Sequence, residues 1–386
     1  MTERATAFAI CAPSVFDGAQ FLTDHCVIVQ HGTVAQLMPT SQCPSTIEKL
    51  SLPEGTLAPG LIDLQVNGGG DVMFNNSPCE ETLNTMLDAH RATGTTALMP
   101  TLISDTREIQ TQAVAAVRAA ISGGNPGILG IHLEGPYFGE SKRGAHSAQM
   151  IRPPTDEDIE WLCSLQNIAV IVTLAPELAA AGHIRRLTDS GIQVCAGHSN
   201  ATYAQMKTAV AQGLAGVTHL FNAMSPLTSR EPGVVGAALE EDALWAGIIA
   251  DGHHVHAAGI RLAQHSKPTG KLVLVSDAMA TVGGNKGQFS LYGEDVRESG
   301  GRLVNKAGVL AGSAIGMIDA VRYTSIEVGV SLDECLRMAS LYPAAILGMD
   351  DRLGRIGEGY RADLMHFDDS FAVHNTWVAG QHRRHL

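Results

Sequence analysis

Eight short runs of branched and small apolar residues recur along the chain, and this count constrains the fold more than any other feature. They are 61–67, 95–101, 128–134, 168–174, 192–198, 216–220, 244–250 and 271–277. Each is followed by Gly, Asn, Asp, His or Pro and then by a longer segment with helical spacing. That alternation is the βα rhythm of a parallel sheet with helices on its outer face. Eight strands are the number that closes a barrel, so the expected core is a (β/α)8 TIM-type barrel. The helical segments carry their own signals. Thr155 precedes three acids and then Ile159, Trp161 and Leu162, as a capping residue should, while the segment 201–213 places Met206, Ala209 and Val210 on one stripe and stops at Gly213.

Both chain ends break the rhythm. Short β-like pieces at 8–11, 26–30 and 33–38 are separated by turn residues, and 361–367 and 375–380 read as strands near the other end. The expectation is a small β-sandwich domain built from residues 1–58 and 354–386, beside a barrel domain over 59–353. A hairpin insertion is expected at 290–304, followed by helices over 315–329 and 331–347.

Composition excludes several classes of function. With 26 Lys plus Arg against 39 Asp plus Glu, and a formal charge of -13, the chain is a poor partner for nucleic acid or an anionic membrane. No stretch approaches the roughly 18 uninterrupted apolar residues of a spanning helix. The amino end lacks the basic start and apolar core of an export signal, so a cytoplasmic location is expected. Seven cysteines are scattered without a Cys-x-x-Cys pair, and their spacing encodes neither a disulfide framework nor a cysteine zinc site.

In a barrel of this type the chemistry gathers at the carboxyl ends of the strands. Those ends are polar here: Gln65 and Asn67 after the first run, Glu134 after the third, His198 after the fifth, His219 after the sixth, His253 and His254 after the seventh, Asp277 after the eighth. One carboxylate and two imidazoles from three strands form a plausible donor set for a divalent ion. With neutral Glu134 partners His198 and His219, such a site stays net positive and can lower the pKa of a bound water toward about 7. Asp277 is then placed to take and return a proton. His132, two residues before Glu134, reads as a supporting histidine. Arg230 taken alone reads as an exposed loop arginine, and Lys142, Arg143 and His146 as a solvated basic patch.

These residues, in order, resemble a known family. The segments APGLID at 58–63, HLEGP at 132–136, GHS at 197–199, THLFNAM at 218–224, DGHHV at 251–255 and VSDA at 275–278 are similar to those of the N-acetylglucosamine-6-phosphate deacetylases of the amidohydrolase superfamily. The resemblance covers essentially the whole chain. It implies that Glu134, His198 and His219 hold the metal, that Asp277 is the acid/base group, and that His254 polarises the acetamide carbonyl. It also implies substrate contacts at Ala145 and His146, Asn222 and Ala223, Arg230, the turn from Asp251 to His254, and the stretch Leu310, Ala311, Gly312. Arg230 and His146 thereby become phosphate candidates. Related enzymes are dimers, so a homodimer is expected.

Many relatives end the first strand in His-x-His to hold a second ion. Here Gln65 and Asn67 stand in those places, and neutral amides are poor ligands for a transition metal. One divalent ion per subunit is expected, zinc first, with iron, cobalt or manganese also compatible with one Glu and two His. The implied reaction is hydrolysis of the acetamide of N-acetyl-D-glucosamine 6-phosphate to glucosamine 6-phosphate and acetate. The rivals are the same reaction on the galactosamine epimer and a non-catalytic sugar-phosphate-binding protein.

Overall fold

The computed structural model describes residues 7–306 and 308–385; residues 1–6 and Leu386, which the sequence reading placed in the small β domain, and Ala307 lie outside the described residues. Eight strands form one parallel sheet in sequence order: strand 1 Leu61–Val66, strand 2 Thr95–Ile103, strand 3 Gly130–Glu134, strand 4 Ala169–Leu174, strand 5 Gln193–Ala196, strand 6 Gly216–Val217, strand 7 Trp245–Ile249 and strand 8 Leu272–Val275. A parallel bridge between Val66 and Ala278 joins strand 1 to the end of strand 8. It is reinforced by Asp277 N donating to Gln65 O at 3.0 Å and Asn67 N donating to Ala278 O at 2.8 Å. This is the expected barrel, and its closure brings the ends of strands 1 and 8 together.

All six residues of strand 1 are buried, because a parallel barrel strand has helices on one side and the barrel interior on the other. Alternation sends Asp63, Gln65 and Asn67 to one face and Leu64 and Val66 to the other. One helix uses the Thr155 cap read from the sequence, and a second box, at Thr202, was not read there. Thr155 and Asp158 form a reciprocal capping box at Asp156–Cys163, and Thr202 and Gln205 form another at Tyr203–Ala211.

The two chain ends meet as expected. Their strands form one continuous eight-stranded sheet, ordered Gln381–Arg384, Val373–Val378, Leu364–Phe367, Thr56–Pro59, Phe8–Phe16, Phe21–Gln30 and Thr33–Pro39, with Glu48–Ser51 also paired to Phe8–Phe16. Alternate residues of Phe8–Phe16 feed two apolar clusters, Ile10 and Ala12 into one and Ala9 and Cys11 into the other, so both faces of this sheet are covered.

The expected hairpin at 290–304 is larger in the structure. Gln288–Leu291, Glu294–Ser299 and Arg302–Val304 are extended by Leu310–Ser313 into a four-stranded antiparallel sheet. The fourth strand is tied to the barrel, since Ser313 N donates to Asp277 O at 2.9 Å and Met279 N donates to Ser313 O at 3.1 Å. The long helix expected over 331–347 is two, Leu332–Met338 and Leu341–Ile346, which break where Ala339 and Ser340 leave helical geometry.

Candidate active site and metal centre

Three strands deliver their functional side chains by the same local device. His198, His219 and Asp277 each stand two residues beyond the last ladder residue of strands 5, 6 and 8, and all three have positive φ, at 49°, 35° and 52°. A left-handed residue that is not glycine costs on the order of 1 to 3 kcal/mol and persists where its surroundings over-determine it. Here the turn folds each side chain back over the barrel mouth. Glu134 needs no such turn, because it is the last residue of strand 3 and points inward with His132.

The result is a tight convergence. Glu134 Oε1 lies 3.1 Å from His198 Nε2 and 3.1 Å from His219 Nε2, and the two Nε2 atoms are 3.0 Å apart. All three residues are buried. Lone-pair donors crowded this closely repel one another unless a proton or a cation lies between them. The ring of His198 is oriented through Nδ1 against the Lys142 carbonyl oxygen at 2.8 Å, the kind of outer contact that fixes a ligand histidine. The donor set of one carboxylate and two imidazoles suits a divalent ion, and the residues fit one.

Strand 1 lies alongside. Gln65 Nε2 donates to Glu134 Oε2 and to Asp277 Oδ1, both at 3.1 Å, and Asn67 Nδ2 donates to Asp277 Oδ1 at 2.7 Å. The two amides act here as donors that fasten carboxylates. Asp63 accepts from Ser276 through its hydroxyl and, at 3.3 Å, its backbone N–H, which ties the base of strand 1 to the residue preceding Asp277. Burial, then the charge of Glu134, pushes the Asp277 carboxyl up to about 6, into the range of a useful proton carrier. Burial would raise the Glu134 carboxyl too, but hydrogen bonds from His198 and His219 outweigh it and hold it well below the usual carboxylate range.

A layer of polar side chains supports the floor. His132 contacts Leu64 O through Nδ1 at 3.1 Å and Thr173 Oγ1 through Nε2 at 2.7 Å, and Thr173 Oγ1 lies 2.6 Å from Thr218 Oγ1. With both ring nitrogens engaged, His132 is a supporting histidine and not one of the converging donors.

A cavity of about 370 Å³ opens above these residues. Glu134, His198, His219, His254 and Asp277 line it, together with Ala145, His146, Asn222, Ala223, Leu310 and Gly312. His254 is held by Asp251, whose Oδ2 lies 2.6 Å from its Nδ1 and whose Oδ1 accepts from its backbone N–H at 2.8 Å. Gly312 permits close approach of the overlying strand: with φ at 65°, an added Cβ would stand 2.5 Å from the Met279 side chain and 2.8 Å from Asp277 O. Ala311 is buried beside it and does not line the cavity.

His146 stands elsewhere than the reading of the residues alone put it, whereas Arg230 is where that reading had it. His146 is no part of a solvated patch. It is buried, its Nδ1 lies 2.7 Å from Ser104 Oγ, and its Nε2 lies 4.0 Å from Glu134 Oε1. The loop folds inward because Phe138 packs edge-on against its ring, with centroids 4.9 Å apart. Arg230 is exposed and outside the cavity lining; its neighbour Glu231 anchors the loop by accepting from Tyr203 N and Gly233 N. Sequence reasoning also missed Ser104, Asp63 and the Lys142 carbonyl as supports, and it missed the proximity of Cys11, Cys26 and Cys43. Those three buried thiols lie within 4.8 Å of one another, although their spacing had been read as excluding a cysteine metal site.

A closed parallel barrel with one carboxylate and two imidazoles at its mouth, and a second carboxylate poised beside them, defines a hydrolase of the barrel class with a metal-competent centre. The profile of the amidohydrolase family matches residues 56–382, and the chain belongs to that family. It is 42% identical over 377 residues to an N-acetylgalactosamine-6-phosphate deacetylase of Shewanella sp. (strain ANA-3), covering 95% of each chain. It is 34% identical over 377 residues to an N-acetylglucosamine-6-phosphate deacetylase of Haemophilus influenzae, covering 97% of this chain and 98% of the relative. The crystal structure of N-acetylglucosamine-6-phosphate deacetylase from Pasteurella multocida superimposes with a TM-score of 0.95 at 36% identity, covering 98% of this chain and 100% of that one.

Proposed function

We propose that this enzyme hydrolyses the acetamide of N-acetyl-D-glucosamine 6-phosphate, releasing glucosamine 6-phosphate and acetate. The observation that carries the reading is the meeting of Glu134, His198 and His219 in one cavity with Asp277 and His254. Glu134, His198 and His219 would hold one divalent ion, zinc in the first instance, with iron, cobalt or manganese compatible. Such an ion supplies Lewis acidity, polarising the acetamide carbonyl and acidifying the attacking water.

The chain's own groups do the rest. Asp277 removes a proton from the attacking water and later delivers it to the departing amine. His254, with Nδ1 engaged by Asp251, presents Nε2 to the carbonyl oxygen as negative charge develops there, an interaction worth on the order of 3 to 4 kcal/mol per well-placed donor. Gln65 and Asn67 fasten the Asp277 carboxylate and occupy the positions where a second ion would need charged or imidazole ligands. Asn222, Ala223, Ala145 and the stretch Leu310, Ala311, Gly312 would orient the sugar. The phosphate would extend from His146 and its loop toward Arg230, which lies outside the cavity and so belongs to the far end of the substrate or to a site shared with a second subunit of a homodimer. Residues 59–353 would form the catalytic domain and residues 1–58 with 354–386 a supporting one. A cytoplasmic location fits the acidic composition, and among the described residues no helix is long and apolar enough to cross a membrane.

The second reading keeps the reaction and changes the sugar to N-acetyl-D-galactosamine 6-phosphate, and the 42% identity to a deacetylase of that substrate favours it. Acetate release measured in parallel on the two epimers decides between them. Turnover of neither, by protein carrying its full complement of metal, would overturn both.

A further inference from the structure

Three thiols meet in the sheet formed by the chain ends, away from the barrel mouth. Cys11 and Cys26 are direct cross-strand partners on Phe8–Phe16 and Phe21–Gln30, so their side chains leave the same face. Cys43 reaches them from the end of the turn Thr40–Gln42. The three sulfurs lie within 4.8 Å of one another, and all three residues are buried. Met38 is the partner of Cys26 on the next strand and places a thioether on that face as well. Ala9, Ile28 and Ile47 pack into the same apolar cluster.

We propose that Cys11, Cys26 and Cys43 form a second metal site, one that binds a soft d10 cation of the monovalent copper class through sulfur. Sulfur donors select soft ions, whereas the carboxylate and imidazoles of the barrel suit borderline divalent ones. A structural zinc site takes four ligands from Cys, His or carboxylate. Here three thiols and a thioether stand in an apolar setting, an arrangement that satisfies monovalent copper, which is content with two or three sulfurs. As two copper–sulfur bonds form, two thiols release their protons to solvent, and no electron is transferred. Two thiolates, one neutral thiol and a monovalent ion carry a single negative charge. Lys49, whose Nζ donates to the Cys43 carbonyl oxygen at 3.2 Å, brings a positive charge beside it.

Access is short. Ser41, Gln42, Pro44 and Ser45 around Cys43 are exposed, so the cluster lies beneath a single turn of chain. Burial pushes the Cys26 thiol up to about 12 and raises that of Cys11.

The test uses the full chain loaded with one equivalent of zinc, titrated anaerobically with monovalent copper in competition with bicinchoninate. The wild type should hold one further equivalent of copper per chain. That equivalent should be lost in Cys43→Ser and in Cys11→Ala, and kept in Cys163→Ser, which alters a cysteine outside the cluster. Copper-edge X-ray absorption on the wild-type complex provides a readout that no variant's folding can confound, and it should show a first shell of sulfur alone. Retention of the copper in both cluster variants, failure of the wild type to bind it, or nitrogen in the first shell would each overturn the proposal.

Discussion

Asn67 donates its side-chain amide to Asp277 Oδ1 at 2.7 Å across the seam where the barrel closes. Gln65 donates to the same oxygen, so neither amide engages Oδ2, which is left to take up a proton. Replacing Asp277 by Asn keeps the shape and removes the proposed base. Asp277→Asn should lower kcat by about 10²- to 10⁴-fold while the metal content is unchanged, because Asp277 is not among the three converging donors. Steady-state kinetics with metal analysis of the same sample checks this, and retained turnover would take the role of base away from Asp277. Asn67→Leu should show a smaller fall in kcat with little change in KM.

The same seam limits the metal count. Protein purified without added metal should contain one divalent ion per chain, and Glu134→Gln should lose it on dialysis, because the carboxylate supplies the only formal negative charge among the donors. Elemental analysis by mass spectrometry gives the count. A second ion retained by the wild type beside Gln65 and Asn67 would refute the single-ion reading.

The barrel was legible because strands covered on both faces read as apolar runs, and polar residues at the ends of such runs stand out. That rule alone singled out Glu134, His198, His219 and Asp277, and the structure brings them together. What escaped has a physical reason in each case. The Lys142 carbonyl that orients His198 is backbone, which any residue could supply. Ser104 and His146 meet only because a loop folds inward against Phe138, a long-range packing event without local periodicity. The strand Leu310–Ser313 has weak β-forming residues and exists through its pairing with Arg302–Val304 and its hydrogen bonds to the end of strand 8. Cys11, Cys26 and Cys43 carry no spacing motif, and strand register is what unites them.

In the proposed mechanism His254 depends on Asp251, which holds its ring and its backbone N–H. Truncating the imidazole in His254→Ala should reduce kcat by about 10²- to 10³-fold, as for loss of one oxyanion donor. Asp251→Asn should give a partial loss, because the amide can hydrogen-bond Nδ1 but lacks the negative charge that favours a ring with protons on both nitrogens, the form in which Nδ1 and Nε2 can donate together. If both variants raise KM and leave kcat intact, the pair binds the sugar and does not serve the reaction.

Asp158 ties the third barrel strand's loop to the helix Asp156–Cys163, and its charge should set an acid limit on stability. Its carboxyl forms ion pairs with Arg107 and Arg152, accepts from Thr155 N at 2.8 Å, and has a side chain only 5% exposed. Arg107 also lies over the Trp161 ring, 3.8 Å from its centroid. Burial alone would raise the pKa of Asp158, but Arg152 and Thr155 outweigh it and hold the carboxyl below its ordinary value of 3.8. A carboxylate depressed on folding stabilises the native state fully above its unfolded pKa, about 3.9, and loses that contribution as pH falls toward the folded value. Asp158→Asn should therefore be less stable than wild type by about 1 to 3 kcal/mol at neutral pH, with the gap narrowing below about pH 4 as the wild type takes up its proton. Urea unfolding at a series of pH values measures the gap directly. A gap that stays constant down to acid pH would mean that Asp158 acts through its capping hydrogen bonds and that its charge contributes nothing.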